Sequence, residues 1–345
     1  MSLAPLAYRI RKRLSFDSTF AKAAEETVIV AEAESGIRSR AAYLPGQLDR
    51  IKDVQPETTP QLEMERISAA PVYHAATTAY RLRNCVLIGG TLYCGRVAHQ
   101  MLKDRPPFIG AVNAEIGHAA LVGTPASDVY FGHFLRDDSA TVLLAEDFAP
   151  AFRPTSRHHA GWSHPADYHA MMGIKLMDTG DARIRDAWVF QDIGMTRSRR
   201  RRFQTLRRRL HDLPAARKGH GVFLVRGSSG HQRILRNEDA IAEGLASRGF
   251  EIVNPELESA EQIVRKLSGA RVTISVEGSG MAHAFLTLAD DGALLTIQPP
   301  HRFNNIYKEF TDMMGMSYGF VVAEGDQHGF EADLDEILRT VDLLT

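Results

Sequence analysis

The chain has 345 residues, more than one ordinary domain needs, so its length predicts two globular units. Hydrophobic residues make up 44% and charged residues 24% of the sequence, which excludes a wholly disordered or collagen-like chain. The 41 basic and 42 acidic residues give a formal net charge of -1, so no overall field directs the protein to nucleic acid or to a membrane.

The N-terminal end predicts a short basic helix over residues 8–14, followed by a strand over residues 26–31. This helix is partly amphipathic, so it either rests on anionic lipid or, as the favoured interpretation, is a solvated terminus. No signal core precedes it, and no apolar run approaches the length of about 18 residues that a membrane-spanning helix needs. A soluble, cytoplasmic protein is expected.

The next stretch, residues 45–71, is polar and rich in turn formers, which predicts connecting loops. After it, Gly89 and Gly90 form a two-residue turn signal that predicts a β-hairpin with Cys85 directly opposite Cys94. A disulfide is sterically possible there, but reduced, packed thiols are favoured in a cytoplasmic enzyme. Two cysteines cannot build a disulfide framework or a cysteine-rich zinc site.

His133 and Asp137 are four residues apart and therefore lie on one face if the segment is helical. They can act as a base with its orienting partner or as two ligands of sugar hydroxyls, and a surface ion pair is the alternative. Residues 141–145 and 186–190 predict further strands, so the N-terminal part is expected to be α/β.

Two charged or titratable clusters follow. The first contains His158, His159, His164 and His169 without an acidic or thiolate partner at a standard ligand spacing, so polar loop histidines are favoured over a metal site. The second has eight arginines within residues 197–209. It predicts either nucleic-acid binding or, as we prefer, a basic helix beside a phosphate-bearing site or an acidic partner surface.

The C-terminal part alternates short apolar runs with helix signals, and this pattern is typical of a doubly wound parallel sheet. The predicted strands cover residues 221–226, 251–254, 271–276, 293–298 and 318–323. Asn237 caps one helix, which Gly249 ends, and Ser259 with Gln262 forms a capping box for the next. The last helix, over residues 334–344, presents an apolar face that needs a surface to cover it, with the N-terminal domain as one candidate.

Ligands of open α/β sheets bind where strands end and helices begin, and two such corners stand out. The first carries Arg226 and Arg233 around a Gly-Ser-Ser-Gly core at residues 227–230, which suits a diphosphate. A polar surface loop with solvated arginines is the alternative. The second corner follows the third strand and holds Glu277, Gly278, Ser279, Gly280 and His283.

Small residues at the second corner let a phosphate approach the backbone, and Glu277 can accept from sugar hydroxyls or act as a base. Tight packing of helix on sheet with an incidental acid is the alternative.

The motifs of other enzyme classes do not fit the spacing of this sequence. The glycines of 278–283 lack the third glycine of the dinucleotide fingerprint, and no Gly-x-Ser-x-Gly elbow, His-Glu-x-x-His motif or Walker loop occurs.

The C-terminal motifs resemble glycosyltransferase family 61, the capsular-polysaccharide biosynthesis type, in order and spacing over about 100 residues. The matching positions are Arg226, residues 233–238, residues 249–256, residues 277–283 and residues 304–307. The family's His-Trp-Leu-x-Asp signature is similar to residues 133–137. The chain departs from the family pattern at Glu277, where the family has histidine, and at His283, where it has asparagine.

The resemblance implies an α/β fold of the GT-B type, with two Rossmann-like domains facing a cleft. Residues 1–210 are then the acceptor-side domain and residues 211–345 the nucleotide-sugar-binding domain. It also implies inverting transfer from a nucleotide sugar without an essential metal or other cofactor. Asp137 is the expected base, His133 positions acceptor or donor hydroxyls, and Glu277 is the rival base. The expected donor-binding residues are Arg226, Arg233, Asn237, Gly278, Ser279, Gly280, His283, Asn304 and Tyr307.

The sequence therefore predicts a cytoplasmic glycosyltransferase that uses a nucleoside-diphosphate sugar and a saccharide acceptor in surface or capsular polysaccharide assembly. Peripheral contact with the inner membrane is part of this hypothesis, and nucleic acid is not an expected partner. The alternative is a non-catalytic relative that binds a sugar nucleotide or polysaccharide, because the family histidine is absent at Glu277.

Overall fold

The protein is described by a computed structural model that covers residues 1–13, 19–216, 219–227 and 233–345. It folds into two compact units: Met1–Glu34 with His74–Phe203, and Ser35–Tyr73 with Gln204–Thr345. The predicted boundary after residue 210 lies close to the one between Phe203 and Gln204. Ser35–Tyr73, which the prediction had assigned to the N-terminal domain, belongs to the second unit.

The described residues form the following elements. The α-helices are α1 (Ala4–Arg13), α2 (Phe20–Ala23), α3 (Pro60–Ile67), α4 (Pro125–Val129), α5 (Phe131–His133), α6 (Ser139–Ala145), α7 (Pro165–Met171), α8 (Arg197–His211), α9 (Glu238–Ala246), α10 (Ala260–Leu267), α11 (Met281–Thr287), α12 (Ile306–Met314) and α13 (Leu334–Asp342). The strands are β1 (Glu26–Ala31), β2 (Glu34–Ile37), β3 (Pro71–His74), β4 (Thr77–Ile88), β5 (Thr91–Cys94), β6 (Val97–Gln100), β7 (Ala114–Leu121), β8 (Ala151–Pro154), β9 (Met177–Thr179), β10 (Ala182–Gln191), β11 (Gly221–Leu224), β12 (Glu251–Val253), β13 (Val272–Val276), β14 (Ala293–Gln298), β15 (Ser317–Val322), β16 (Glu324–Asp326) and β17 (Gly329–Glu331). Gln47–Arg50 and His159–Gly161 form 3-10 turns, and Phe134–Asp138 forms a π-helical turn.

The sheet of the first unit has eight strands in the order β6-β5-β4-β10-β7-β8-β9, with β1 paired to β4. Its central strands β4 and β10 are antiparallel, whereas β10, β7, β8 and β9 are parallel neighbours. This mixed sheet differs from the predicted Rossmann-like arrangement, because tight hairpins join β4 to β5 and β5 to β6 without a crossover helix.

The hairpin between β4 and β5 has the predicted register, with Ile88 opposite Thr91. Gly89 and Gly90 have φ angles of 52° and 71°, as a two-residue hairpin turn with left-handed residues requires. Both cysteines of the hairpin are free, buried thiols, and Sγ of Cys94 donates to the carbonyl oxygen of Arg83 at 3.2 Å.

The second unit contains a five-stranded parallel sheet in the order β12-β11-β13-β14-β15. The chain leaves β11 toward one edge through α9 and then returns across to β13, so right-handed crossovers place helices on both faces. This confirms the predicted α/β fold with a doubly wound parallel sheet. The five strands agree with the predicted ranges to within two residues.

The last helix, α13, lies on the sheet of its own unit, where it contacts β15 and α9. Ile337 is fully buried in the core that includes Ile241, Leu295 and Val321. Gln47 and Arg50, which the prediction assigns to the N-terminal domain and the structure to the second unit, bond to Glu336 of this helix at 2.9 and 2.6 Å. Packing of the helix on the rest of the N-terminal domain stays a prediction.

Two predicted local structures differ from the observed ones. Residues 141–145 were predicted as a strand but belong to α6, which is buried on most sides and therefore shows no polar face in its sequence. Residues 45–71 were predicted as loops but contain α3, capped by Thr59. The buried face of α3 carries Glu63 and Arg66 as an ion pair, so it lacks the apolar spacing that identifies an amphipathic helix.

No helix in the part of the chain that the structure describes is both long and apolar enough to span a bilayer.

A stability prediction arises from Arg207 of α8, whose side chain is 1% exposed. It donates to the carbonyl oxygens of Phe285 and Leu288 and pairs with Asp290 at 2.9 Å. We expect Arg207→Ala to lower the free energy of unfolding by about 2–3 kcal/mol, because two buried carbonyls lose their donor. Urea denaturation measures this change.

Arg208→Ala is the matched control, since Arg208 is exposed on the same helix and donates to Thr205 within α8. A surface arginine of this kind contributes within about 0.5 kcal/mol. Equal unfolding midpoints for the two variants would contradict a structural role for Arg207.

Candidate active site

The candidate donor site lies in the second unit, where the neighbouring parallel strands β11 and β13 end. The sheet order places the topological switch point between these strands, and open α/β sheets bind ligands outside the carboxyl ends at such a point. Arg226 follows β11 by two residues, and Glu277 comes directly after β13. The residues predicted from the two corners of the sequence therefore meet at one edge of the sheet.

Glu277 is a buried carboxylate, 4% exposed, that gathers cationic side chains. Its Oε2 lies 2.7 Å from Nε of Arg233 and 3.7 Å from Nε of Arg302. Its Oε1 accepts from Nδ2 of Asn304 at 2.9 Å. Oε1 is thus occupied by a hydrogen bond, whereas Oε2 lies within ion-pair range of both arginines without a hydrogen-bond partner among the described residues. This arrangement suits an anchor for guanidinium groups better than a catalytic base.

Gly278 lets the two arginines of the first corner approach the backbone. Its φ is +151°, and a Cβ built there would lie 3.1 Å from Nη1 of Arg233 and 3.6 Å from Nε of Arg226. A side chain at this position would therefore strain the backbone and crowd Arg233. The same distances place the guanidinium groups of Arg226 and Arg233 side by side over this glycine.

The electrostatics of this corner favour an anion. Burial lowers the pKa of Arg226, and the charge of Arg233 lowers it further, while Glu277 and the more weakly acting Glu238 and Glu256 oppose this shift. Glu238 accepts from the backbone N–H groups of Arg226 and Gly227 at 2.7 and 3.4 Å. A bound diphosphate would relieve the repulsion between the neighbouring guanidinium groups.

A second cluster lies in the first unit, around the π-helical turn Phe134–Asp138 that joins α5 to α6. Such turns insert an extra residue into a helix and occur frequently at functional sites. Nδ1 of His133 lies 2.8 Å from Oδ2 of Asp137, so the predicted pair is formed on one face.

Asp137 is held by two arginines as well. Arg136 donates to it through Nε at 3.0 Å and through Nη2 at 2.8 Å, and Nη2 of Arg199 donates to Oδ1 at 2.9 Å. Burial by itself raises the pKa of Asp137, but the charge of Arg136, the hydrogen bonds from His133 and Arg136 and the charge of Arg199 outweigh burial and lower the pKa far below its usual value. The carboxylate is therefore ionised, well anchored and weakly basic.

An ionised carboxylate can only accept a hydrogen bond, so Asp137 at 2.8 Å requires a proton on Nδ1 of His133, and the guanidinium Nη2 of Arg136 lies farther from this nitrogen at 3.3 Å. When His133 acts as a base, Nε2 is then the nitrogen that accepts the proton. The His133 side chain is 32% exposed, against 19% for Asp137. This arrangement presents an oriented imidazole base, with the carboxylate behind it.

The family model for glycosyltransferase 61 matches residues 131–294, a segment that includes His133 and Asp137 of one cluster and Arg226, Arg233 and Glu277 of the other. The protein carries a glycosyltransferase family 61 domain. The predicted resemblance to glycosyltransferase family 61 is thereby confirmed, and so is the prediction that the protein is a glycosyltransferase enzyme, whereas the capsular type stays a prediction.

A search of curated proteins found no match to the chain. Among solved structures, the chain is similar to a metal-soaked Flv1 flavodiiron core from Synechocystis sp. PCC6803, with 10% sequence identity and a TM-score of 0.25. The match covers 76% of this chain and 61% of that chain. A likeness at this level supports no conclusion about the glycosyltransferase.

The glycosyltransferase brings together some of the predicted donor residues and leaves others apart. Arg226, Arg233, Gly278 and Asn304 surround Glu277, and Ser279 and Gly280 continue from Gly278 into α11. The Gly-Ser-Ser-Gly core lies, from Ser228 onward, outside the described residues.

Three predicted donor residues have other surroundings. Asn237 exchanges hydrogen bonds with the backbone of Ala332, at 2.8 and 3.2 Å, instead of capping α9 with its side chain. His283 is 2% exposed within α11, and Tyr307 is 5% exposed within α12. These contacts and this burial indicate that all three support the fold around the site.

Arg302 is the residue of this site that the sequence analysis missed. It lies in the loop after β14, the strand next to β13. Its position beyond the carboxyl end of β14 is the signal by which the sequence could have identified it as a ligand-site residue. Beside it, Nδ1 of His301 is buried and has no hydrogen-bond partner among the described residues. Burial lowers the pKa of His301, so this ring tends to be neutral.

Three of the eight arginines in the arginine-rich helix of the glycosyltransferase have structural contacts. Arg199, Arg202 and Arg207 are buried, and all three bond to acidic residues of their own unit. Arg202 forms a bidentate pair with Asp192 at 2.6 and 2.7 Å. The preferred interpretation, a basic helix beside a phosphate site or an acidic partner surface, was wrong for these three arginines. Because they are buried and paired, they are not available to contact nucleic acid either.

The histidine cluster packs around aromatic side chains. His159 stacks on Trp162 with ring centroids 4.2 Å apart, and His169 lies 5.0 Å from the ring of Phe134. Burial, aided by the charge of Arg153, lowers the pKa of His169 to about 4. Within the described ranges, no group of three or more histidine, cysteine or acidic side chains is placed to hold a metal ion.

Proposed function

We propose that the enzyme transfers a sugar from a nucleoside-diphosphate donor to a saccharide acceptor with inversion at the anomeric carbon. The observation that carries this proposal is the group of three guanidiniums, from Arg226, Arg233 and Arg302, around Glu277 at the switch point of the second unit. Bidentate guanidinium donors match the oxygens of a diphosphate.

The leaving diphosphate gains negative charge as the bond between its oxygen and the anomeric carbon of the sugar breaks. Cationic side chains stabilise this charge in the transition state. A divalent cation performs this task in many enzymes. Here the arginines supply comparable charge from the protein itself. We therefore propose that transfer needs no essential metal, and that activity persists in the presence of EDTA.

We propose His133 as the general base and Asp137 as its positioning residue, which reverses the roles expected from the sequence. The acceptor hydroxyl gives its proton to Nε2 of His133 while its oxygen attacks the anomeric carbon. The bond from that carbon to the diphosphate breaks, and the electron pair leaves with the diphosphate. Asp137 stabilises the imidazolium that forms.

The donor site leads to a binding prediction. Arg233→Ala is expected to weaken binding of a nucleoside diphosphate by about 1.5–3 kcal/mol, the usual contribution of a charge-assisted contact. Isothermal titration calorimetry with UDP, GDP and CDP measures the change after a thermal-shift screen has identified the nucleotide that binds.

Arg236→Ala serves as the control, because Arg236 lies near the same loop, is half exposed and is 4.0 Å from Asp326. Its affinity should equal that of the wild type. Unchanged affinity in Arg233→Ala would contradict the proposed donor site, and binding without transfer or donor hydrolysis would contradict catalysis of this reaction.

We further propose that the enzyme works in the cytoplasm in the assembly of a surface or capsular polysaccharide, with peripheral contact at the inner membrane. The resemblance of residues 226–307 to the capsular-polysaccharide type of the family supports this role. Transfer of radiolabelled sugar from a donor panel into a lipid-extractable or polymeric product tests it.

A further inference from the structure

Exposed apolar side chains gather on one surface of the first unit, around α1 and the segment of residues 103–110. Among the described residues with large, exposed apolar side chains, five lie here: Met1, Leu3, Ile10, Phe108 and Ile109. We call these five residues the apolar patch. Phe108 is 62% exposed, and contiguous exposed apolar side chains of this kind mark interaction surfaces.

Backbone and side-chain contacts join the two segments of this patch. Ser2 and Gly110 exchange backbone hydrogen bonds at 2.8 and 3.2 Å, which places Met1 and Leu3 next to Ile109. Arg9 of α1 donates to the carbonyl oxygen of Pro106 at 2.7 Å, and its guanidinium lies 3.9 Å from the centre of the Phe108 ring. The apolar patch is therefore a defined surface in the fold.

Basic side chains surround the patch. Residues 1–13 contain four basic residues and no acidic one: Arg9, Arg11, Lys12 and Arg13. Lys103 and Arg105 lie at the start of the second segment, where Asp104 pairs with Arg157 at 2.9 Å. Since the whole chain carries a formal charge of only -1, this positive field is local.

We propose that this surface binds the face of an anionic membrane, with the apolar patch entering the interface and the basic side chains contacting lipid phosphates. An apolar face bordered by lysine and arginine is the pattern of interfacial membrane binding. Each basic residue near an anionic leaflet adds to the attraction, and exposed isoleucine and phenylalanine supply burial that a nucleic-acid backbone does not offer. The inference deepens the proposed peripheral membrane contact by naming the surface that makes it, and it does not depend on which donor the enzyme uses.

The test is flotation of the full chain with vesicles of phosphatidylcholine alone or of phosphatidylcholine with about 30% phosphatidylglycerol. We expect binding only to the anionic vesicles, and we expect salt to weaken it. Phe108→Ser with Ile109→Ser and, separately, Lys12→Glu with Arg13→Glu should each lower partitioning at least about tenfold.

Matched variants control for general changes in apolarity and charge. Ile29→Ser with Met177→Ser removes two exposed apolar side chains elsewhere in the unit, and Arg183→Glu with Arg185→Glu reverses two exposed charges of β10. Both should bind vesicles like the wild type. All variants should keep their thermal shift with the donor nucleotide, which separates this test from that of the proposed function.

Three results would overturn the inference: no vesicle binding, equal binding to neutral and anionic vesicles, or undiminished binding by both the Phe108→Ser/Ile109→Ser variant and the Lys12→Glu/Arg13→Glu variant. Light scattering during size-exclusion chromatography tests the alternative that this surface binds a second copy of the chain, because it measures the molecular mass in solution. A dimer that Phe108→Ser with Ile109→Ser converts to monomer, without an effect on lipid binding, would assign the surface to self-association.

Discussion

Replacing His133 by alanine should lower kcat by about 10²–10⁴-fold and leave nucleotide affinity unchanged. The change removes the only imidazole that Asp137 orients in this cluster of the described residues, while Arg136 and Arg199 still neutralise the carboxylate. Steady-state rates with the identified donor, together with calorimetry of the nucleotide, separate the effect on turnover from any effect on binding.

The pH profile adds a second readout. Asp137 should not contribute an acid limb to the rate, because its pKa is lowered well below the usual carboxyl range. Wild-type kcat in His133→Ala, with loss of turnover in Asp137→Asn, would restore Asp137 as the base.

The second unit was predictable from the sequence because its strands are short, apolar and bounded by chemical signals. The capping box of Ser259 and Gln262 forms as expected, and Gly249 adopts a φ of 85° after α9. Buried parallel strands show continuous apolar runs, so their number and order of appearance can be read from one sequence. Their spatial order was also constrained, since crossovers are right-handed.

Segments that bury charge were not predictable in the same way. Glu63 of α3 accepts from the backbone N–H of Asn305 at 2.6 Å, in a contact between residues 242 positions apart. Nothing local in residues 35–73 shows that this segment joins the C-terminal sheet. The Arg207 contacts of α8 are of the same kind, and a run of arginines therefore resembles a solvated face until its partners are known.

In the site, position was predictable and chemical role was not. The corners after β11 and β13 follow from strand ends, which is why Arg226, Arg233 and Glu277 were found. The roles depend on which oxygens are already occupied. Asp137 carries four close polar contacts and Glu277 carries three, and no spacing rule reports that occupancy.

The largest effect on stability should come from Glu277→Ala, with a loss of about 3–5 kcal/mol in the free energy of unfolding. Removal of this carboxylate leaves the guanidiniums of Arg233 and Arg302 without their shared counter-charge in a buried site. Inorganic pyrophosphate should restore part of that loss, because its oxygens can take the place of the carboxylate. Urea denaturation with and without pyrophosphate measures both changes.

Glu277→Gln keeps the side-chain shape and its contact with Asn304, so it provides a folded variant if alanine is not tolerated. Glu261→Ala is the surface control, since its pair with Arg265 at 2.8 Å is exposed and contributes less than about 1 kcal/mol.

A role of Glu277 as an anchor and a role as a base predict opposite results for its variants. If Glu277 were the base, its variants would keep the wild-type stability and the wild-type response to pyrophosphate while turnover fell by about 10²–10⁴-fold. If it anchors the arginines, stability falls and pyrophosphate stabilises the variants more than the wild type.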